Sequence, residues 1–256
     1  MAGHKAIVHS DVIAFLSQTP NESADLVIAD PPYRIGYDDG RGWDSQWQSE
    51  SHYLDWCREW TLQCARVLKP GRMLVVWGTR KTDTFLRYKL EVLNVLDGMC
   101  AQNEFIWSYN WGGRSRKNFA RKHEIAWCYS KGRNFLFDGD AVRVERRVKM
   151  NLRTGEPHSK GTIPTCVWEA NNHTMSGDSV TWHPTTKNIS VLERIIRAYT
   201  NPGDVVLDPF MGSGSTAIAA MRTGREWVGC DVDADYVARA NMRIAAEVGR
   251  ASLDKD

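Results

Sequence analysis

The chain predicts an α/β fold built on a mostly parallel, twisted sheet flanked by helices, of the Rossmann-like kind. Three observations lead there. Strand and helix signals alternate along most of the 256 residues, the pattern of layered α/β proteins. The run from Asp25 to Ala29 (Asp-Leu-Val-Ile-Ala) reads as a buried strand that stops at Asp30-Pro31-Pro32-Tyr33, because prolines deny a strand further ladder hydrogen bonds. Val205 to Asp208 runs into the turn Met211-Gly212-Ser213-Gly214-Ser215 and then into the helical pattern Ala217 to Met221. Glycines there let the backbone approach a ligand.

Taken in order, the first strand is expected at Lys5 to Val8, with His9-Ser10-Asp11 leading into an apolar helix. The second is Asp25 to Ala29. After it, Gly36-Tyr37-Asp38-Asp39-Gly40-Arg41-Gly42-Trp43 has the glycines of a movable active-site flap. A helix is expected from His52 to Leu68, then strands near Arg72 to Trp77, Glu104 to Tyr109 and Glu124 to Ser130. Gly132, Gly139, Gly155, Pro157, Gly161, Pro164 and Gly177 break any period between 131 and 182, which reads as an irregular insertion. Ile189 to Val248 supply the remaining strands and helices. The expected organisation is therefore one domain in two halves, 1–130 and 183–256, around an insertion at 131–182.

The strand ends carry the chemistry. Ligands of open α/β sheets collect at the carboxyl edge of the strands, where Asp30 is presented with Tyr33 just beyond. A carboxylate and the Pro31 carbonyl can accept both hydrogens of an exocyclic amino group, while an aromatic ring stacks on the base that carries it. The strand Trp227 to Asp231 ends in an acid 19 residues after Gly212, about the interval that places a carboxylate on ribose hydroxyls. A dinucleotide site is one reading of this unit. The missing third glycine and the position of Asp208, which would repel a pyrophosphate, favour a cofactor with a cationic amino acid end, S-adenosylmethionine.

The tetrapeptide Asp30-Pro31-Pro32-Tyr33 resembles the catalytic motif of amino-group DNA methyltransferases. His183-Pro184-Thr185-Thr186-Lys187, Val191 to Tyr199 and Asn201-Pro202-Gly203-Asp204 lead into the Asp208 motif as in the cofactor half of the β-class adenine-N6 enzymes. Val67-Leu68-Lys69-Pro70-Gly71 and the strand Met73 to Trp77 also fit. In that class the catalytic motif precedes the cofactor motif, a circularly permuted order, and the target-recognition segment lies between them.

The resemblance implies an AdoMet-dependent methyltransferase fold with Asp30, Pro31, Pro32 and Tyr33 as its catalytic motif. It implies cofactor contacts from Asp11, Lys187, Asp208, Phe210, Gly212, Ser213, Gly214, Ser215 and Asp231, with Lys187 at the cofactor's carboxylate end. DNA is the implied partner, a homodimer the implied assembly, and a prokaryotic or phage cytoplasm the implied setting. Asn188 stands where the family usually has proline. His123-Glu124 is similar to a pair in relatives, but a local salt bridge of Glu124 with Lys122 or Arg121 accounts for it equally, so no catalytic role is assigned.

Composition agrees with an unexported enzyme. The six cysteines form no Cys-x-x-Cys pair, so neither a zinc site nor a disulfide framework is indicated, and the isolated His52, His158 and His173 have no metal spacing. No apolar run approaches the roughly 20 residues that span a bilayer. The net charge is only +2, yet residues 107 to 160 hold 13 Lys or Arg against five Asp or Glu. Within them Arg114, Arg116, Lys117, Arg121 and Lys122 crowd into nine residues, preceded by Trp107, Tyr109 and Trp111. Cations neutralise phosphates and rings offer stacking platforms, so this segment is the expected DNA-binding face.

Adenine N6 is a poor nucleophile that is paired inside a duplex, so the expected reaction draws the base out, with Tyr33 stacking on it. Asp30 and the Pro31 carbonyl then hold N6 for direct methyl transfer, without a metal or a covalent nucleophile. Three other readings remain: a cytosine-N4 enzyme, a subclass that commonly has Ser in place of Asp30; an RNA or protein-amide methyltransferase, more often with Asn there; and an inactive DNA-binding protein.

Overall fold

The computed structural model describes residues 6–36, 40–79, 83–110, 114–145, 161–170 and 180–253. The centre of the flap (37–39), Trp111, parts of the insertion (146–160 and 171–179, with His158 and His173) and the start of the first expected strand lie outside them. Eight strands form one sheet in the order β1-β8-β7-β2-β3-β5-β4-β6. They are β1 (Val8–His9), β2 (Ala24–Ala29), β3 (Leu68–Gly78), β4 (Met99–Ser108), β5 (His123–Lys131), β6 (Val167–Glu169), β7 (Val205–Asp208) and β8 (Glu226–Asp231). The six helices are α1 (Val12–Gln18), α2 (Glu50–Val67), α3 (Asp83–Glu91), α4 (Ile189–Tyr199), α5 (Ser215–Arg222) and α6 (Ala234–Leu253).

The sheet is mostly parallel, as the sequence predicts. Only β5 opposes its neighbours, β3 and β4. Central β2 is buried along its whole length. Leu26 and Ile28 join the apolar layer that contains Ile195 and Ile196 of α4, while Val27 and Ala29 join the layer with Trp60 and Cys64 of α2. This two-sided cover explains why the strand reads as an unbroken apolar run, each large side chain contributing roughly 1.5–3 kcal/mol by leaving water.

The amino end of β2 is fastened electrostatically. Asp25, 2% exposed, pairs with Lys69 at 2.8 Å and Arg72 at 2.9 Å, and accepts the Val205 amide at 3.0 Å. Arg72 also reaches Asp204 at 2.8 Å. A buried acid is tolerated best when it is paired, and the partners of Asp25 tie β2, β3 and β7 together at the end opposite Asp30.

Two expectations about the fold are corrected. The stretch 131–182 is not irregular throughout, because β6 extends the sheet beside β4 and Val142 and Trp168 are buried in the main core. Trp107 is no stacking platform. It is 1% exposed, and its indole donates to the Ala170 carbonyl at 2.8 Å. Helix α3 was not anticipated, since Thr84, Phe85 and Tyr88 are its only buried residues. All six cysteines are free. No helix among the described residues is long and apolar enough to cross a membrane.

Candidate active site at the ends of β2 and β7

Because β2 and β7 are parallel neighbours, Asp30 and Asp208 emerge at the same sheet edge. Pro31 and Pro32 end the ladder of β2, and the Tyr53 hydroxyl of α2 donates to the Pro32 carbonyl at 2.8 Å, pinning the turn. Tyr33 lies with its ring edge-on to Phe85, centroids 4.9 Å apart, and its hydroxyl donates to Asp30 Oδ1 at 2.5 Å. The other carboxylate oxygen of Asp30 receives the ammonium of Lys187. Burial and the adjacent Asp30 charge hold the Tyr33 phenol well above its ordinary range, which keeps it a proton donor.

Lys187 is 8% exposed and bridges two acids, its Nζ lying 3.1 Å from Glu124 Oε2 as well as against Asp30. Desolvation opposes its charge, but the pull of Asp30 and Glu124 prevails and raises its pKa. Glu124 therefore reaches Lys187, correcting the expectation of a local bridge to Lys122 or Arg121. Asn188 takes over the turn that proline supplies elsewhere. Its side chain accepts the amides of Ser190 at 2.9 Å and Val191 at 3.3 Å, capping α4.

The glycine turn borders the same cleft. Gly212 has φ +51°, and a Cβ there would sit 2.7 Å from His183 Nε2, so no larger residue fits without displacing the ring. Its amide donates to Asp231 Oδ2 at 2.8 Å, and Asp233 N donates to Oδ1 at 2.9 Å. Acceptor capacity remains on the carboxylate for hydroxyls. Asp208, 3% exposed, is pushed up to about 7 by burial, against the hydrogen bonds from Thr216 and the Phe210 amide that favour its charged form.

The cleft brings together Asp11, Asp30, Pro31, Pro32, Tyr33, Phe210, Gly212 and Asp231. A smaller adjoining hollow is lined by Lys187, Asp208, Ser213 and Ser215. Gly214 lines neither. It starts α5 at φ +79° and packs on Ala240 and Ile244. Ser213 and Ser215 are buried, and Arg243 of α6 donates to the Ser213 carbonyl and the Ser215 hydroxyl, which makes them supports of the turn. Asp11 caps α1 through the Ile13 and Ala14 amides. Acids along the cleft, an apolar wall at Phe210 and a glycine turn without a third glycine fit a nucleoside carrying a cationic tail.

A DNA methylase family profile, that of the N6/N4 enzymes, matches residues 24–242. The chain belongs to this family. It is 32% identical to the DNA adenine methyltransferase YhdJ of Escherichia coli K12 over 249 residues, covering 94% of this chain and 82% of that protein. Among solved structures, the fold is similar to the cytosine-N4-specific PvuII DNA methyltransferase (TM-score 0.70, 20% identity, 95% of this chain and 91% of that one). It is also similar to a putative DNA modification methylase of Thermus thermophilus complexed with S-adenosyl-L-methionine (TM-score 0.62, 22% identity, 95% and 94%). The protein is a DNA methylase.

The basic run of this methylase occupies the tip of the β4–β5 hairpin. Ser108 pairs with His123 at the loop end of the hairpin, and Gly78, the last residue of β3, pairs with Ile125. The tip thus rises from the sheet edge that bears Asp30. Arg114, Arg116, Lys117 and Arg121 are exposed, Lys122 is half-buried, and Phe119 between them is 96% exposed.

Sequence reasoning missed the groups that shape the cleft mouth. Asp44, 1% exposed, accepts the amides of Arg34 and Ile35 at 2.7 Å each and holds Arg34 at φ +54°. Arg41 spans from the flap to Asp233 and Asp235, 2.9 Å each, and lies over the Tyr236 ring at 4.4 Å. No local pattern marks these partners, which are up to 194 residues apart in the chain.

Proposed function

We propose that this methylase is a β-class enzyme that methylates N6 of an adenine rotated out of duplex DNA. The observation that carries the reading is Asp30 at the end of β2, an acid placed beside Tyr33 at a cleft fit for the cofactor. When bound, S-adenosylmethionine supplies an electrophilic methyl group. Asp30 accepts one N6 hydrogen, and the Pro31 carbonyl, which receives no hydrogen bond among the described residues, accepts the other. Both hold the nitrogen lone pair toward the cofactor and stabilise the positive charge that grows on N6. Tyr33 releases Asp30 and offers its ring to the base. Asp231 holds the ribose hydroxyls, and Asp11, Lys187, Asp208 and Phe210 complete the cofactor's surroundings. The hairpin cations bind phosphates, and residues 131–182 read the target sequence.

Cytosine-N4 methylation is the second reading, favoured by the likeness to the PvuII enzyme. It uses the same amino-group chemistry, but an acid at Asp30 speaks for adenine. Incubation of the purified protein with labelled AdoMet and mixed DNA or RNA, followed by nucleoside analysis, decides. N6-methyladenine in DNA is the expected product; N4-methylcytosine overturns the adenine assignment, and label confined to RNA overturns the DNA assignment.

A further inference from the structure

Lys187 poses an electrostatic problem for the site just proposed. An ammonium bound to Asp30 weakens that carboxylate as an acceptor and sets a positive charge beside a nitrogen that is itself becoming positive. Glu124 lies on the far side of the same ammonium, at 3.1 Å. Its Oε2 is screened from solvent, and among the described residues it has no hydrogen bond of good geometry. Buried oxygens left without a hydrogen bond are rare and call for a reason.

Two rings also face Nζ, Trp77 at 5.4 Å and Tyr33 at 6.0 Å from ring centroid to nitrogen. Rings of this kind attract the cation but do not cancel its charge. Glu124 is the group that does. Asp30, Lys187 and Glu124 together carry one net negative charge, whereas Asp30 and Lys187 alone carry none.

We propose that Glu124 is a positioning residue for methyl transfer, the counter-charge that keeps the Asp30–Lys187 pair net negative where the amino group is methylated. It acts through Lys187 and touches no substrate. The inference rests on the adenine-N6 or cytosine-N4 reading of the site, since either amino group gains positive charge as it is methylated.

Three forms test it: Glu124→Gln, which makes the trio neutral; the double variant Glu124→Gln/Lys187→Met, which restores one negative charge; and Glu124→Asp. At saturating AdoMet and DNA, the single-turnover rate of Glu124→Gln is expected to fall about tenfold or more. The double variant is expected to recover a measurable part of that loss, and Glu124→Asp to stay within a few fold of the parent. Calorimetry without DNA gives an independent readout. The preference for cationic AdoMet over its uncharged product S-adenosylhomocysteine should shrink in Glu124→Gln and return in the double variant.

A Glu124→Gln rate within twofold of the parent overturns the proposal. So does a double variant no faster and no more selective for the cation than Glu124→Gln, because a structural defect is not repaired by a second deletion. A Glu124→Gln protein that fails to fold assigns the residue to the scaffold and overturns it too. If the unaltered protein methylates no DNA base, the functional reading fails first, a result visible before any variant is made.

Discussion

Lys187 and Asp30 stand 157 residues apart in the chain and meet as an ion pair at the carboxyl end of β2. The two halves of the candidate site are thereby joined, and Asp30 carries a positive neighbour that its own stretch of sequence does not announce.

Asp30→Ala is expected to retain AdoMet binding while methyl transfer falls by about two to three orders of magnitude, the scale of losing one group that stabilises developing charge. Tyr33→Ala should keep part of its activity, since stacking contributes roughly 1–3 kcal/mol per base. Placing a mismatch at the target adenine should partly restore it, because extrusion is then easier. Single-turnover rates check both; near-normal transfer by Asp30→Ala removes its catalytic role, and a mismatch without benefit removes base capture from Tyr33.

Asp231→Ala should weaken AdoMet binding strongly. Each charge-assisted bond to a hydroxyl contributes on the order of 1.5–3 kcal/mol, and the variant also frees the Gly212 and Asp233 amides that Asp231 now holds. Isothermal calorimetry gives the answer, and an unchanged dissociation constant takes Asp231 out of the site.

Asp208 makes stability depend on pH. Its folded pKa, about 7, lies above the ordinary value of 3.8, so the native state binds the extra proton. That contribution is complete below about pH 4, fades as pH rises, and is lost above about pH 7. Asp208→Asn removes the titration. Relative to the parent, its Tm should rise by several degrees at pH 8, where a shift of this size costs up to about 4 kcal/mol, and much less at pH 5. Parallel Tm–pH curves for the two proteins would show that Asp208 titrates normally.

Reversing Arg114, Arg116 and Lys117 to Glu should weaken specific and non-specific DNA binding together and flatten the salt dependence. Phosphate contacts act through counterion release and carry little sequence information. Binding titrations across a salt series test this; an unchanged slope means the hairpin tip is only a solvated surface.

The strand ends were legible because their signals are local: an apolar run, then an acid and two prolines; an apolar run, then an acid and a glycine turn. The partners were not. Glu124 stands at the start of buried β5 like many solvated acids, and only the fold turns it toward Lys187. Trp107 and Phe119 lie in the same aromatic and basic stretch, yet alternation along β4 drives Trp107 inward and the hairpin tip leaves Phe119 outside. Strand β6 escaped notice because three residues carry almost no periodicity and its support is pairing with β4, some 60 positions earlier.

The sheet order bears on how the protein is made. Strand β7 sits between β2 and β8, yet it leaves the ribosome about 180 residues after β2. Until then the growing chain has an unpaired edge at Leu26 and Val27, a template for pairing with other chains. Those residues gain their partners, Val206 and Leu207, only when β7 has been made. Messages that end before β7 therefore yield no partial enzyme, only chains with an open central seam, and nascent copies need shielding until β7 emerges.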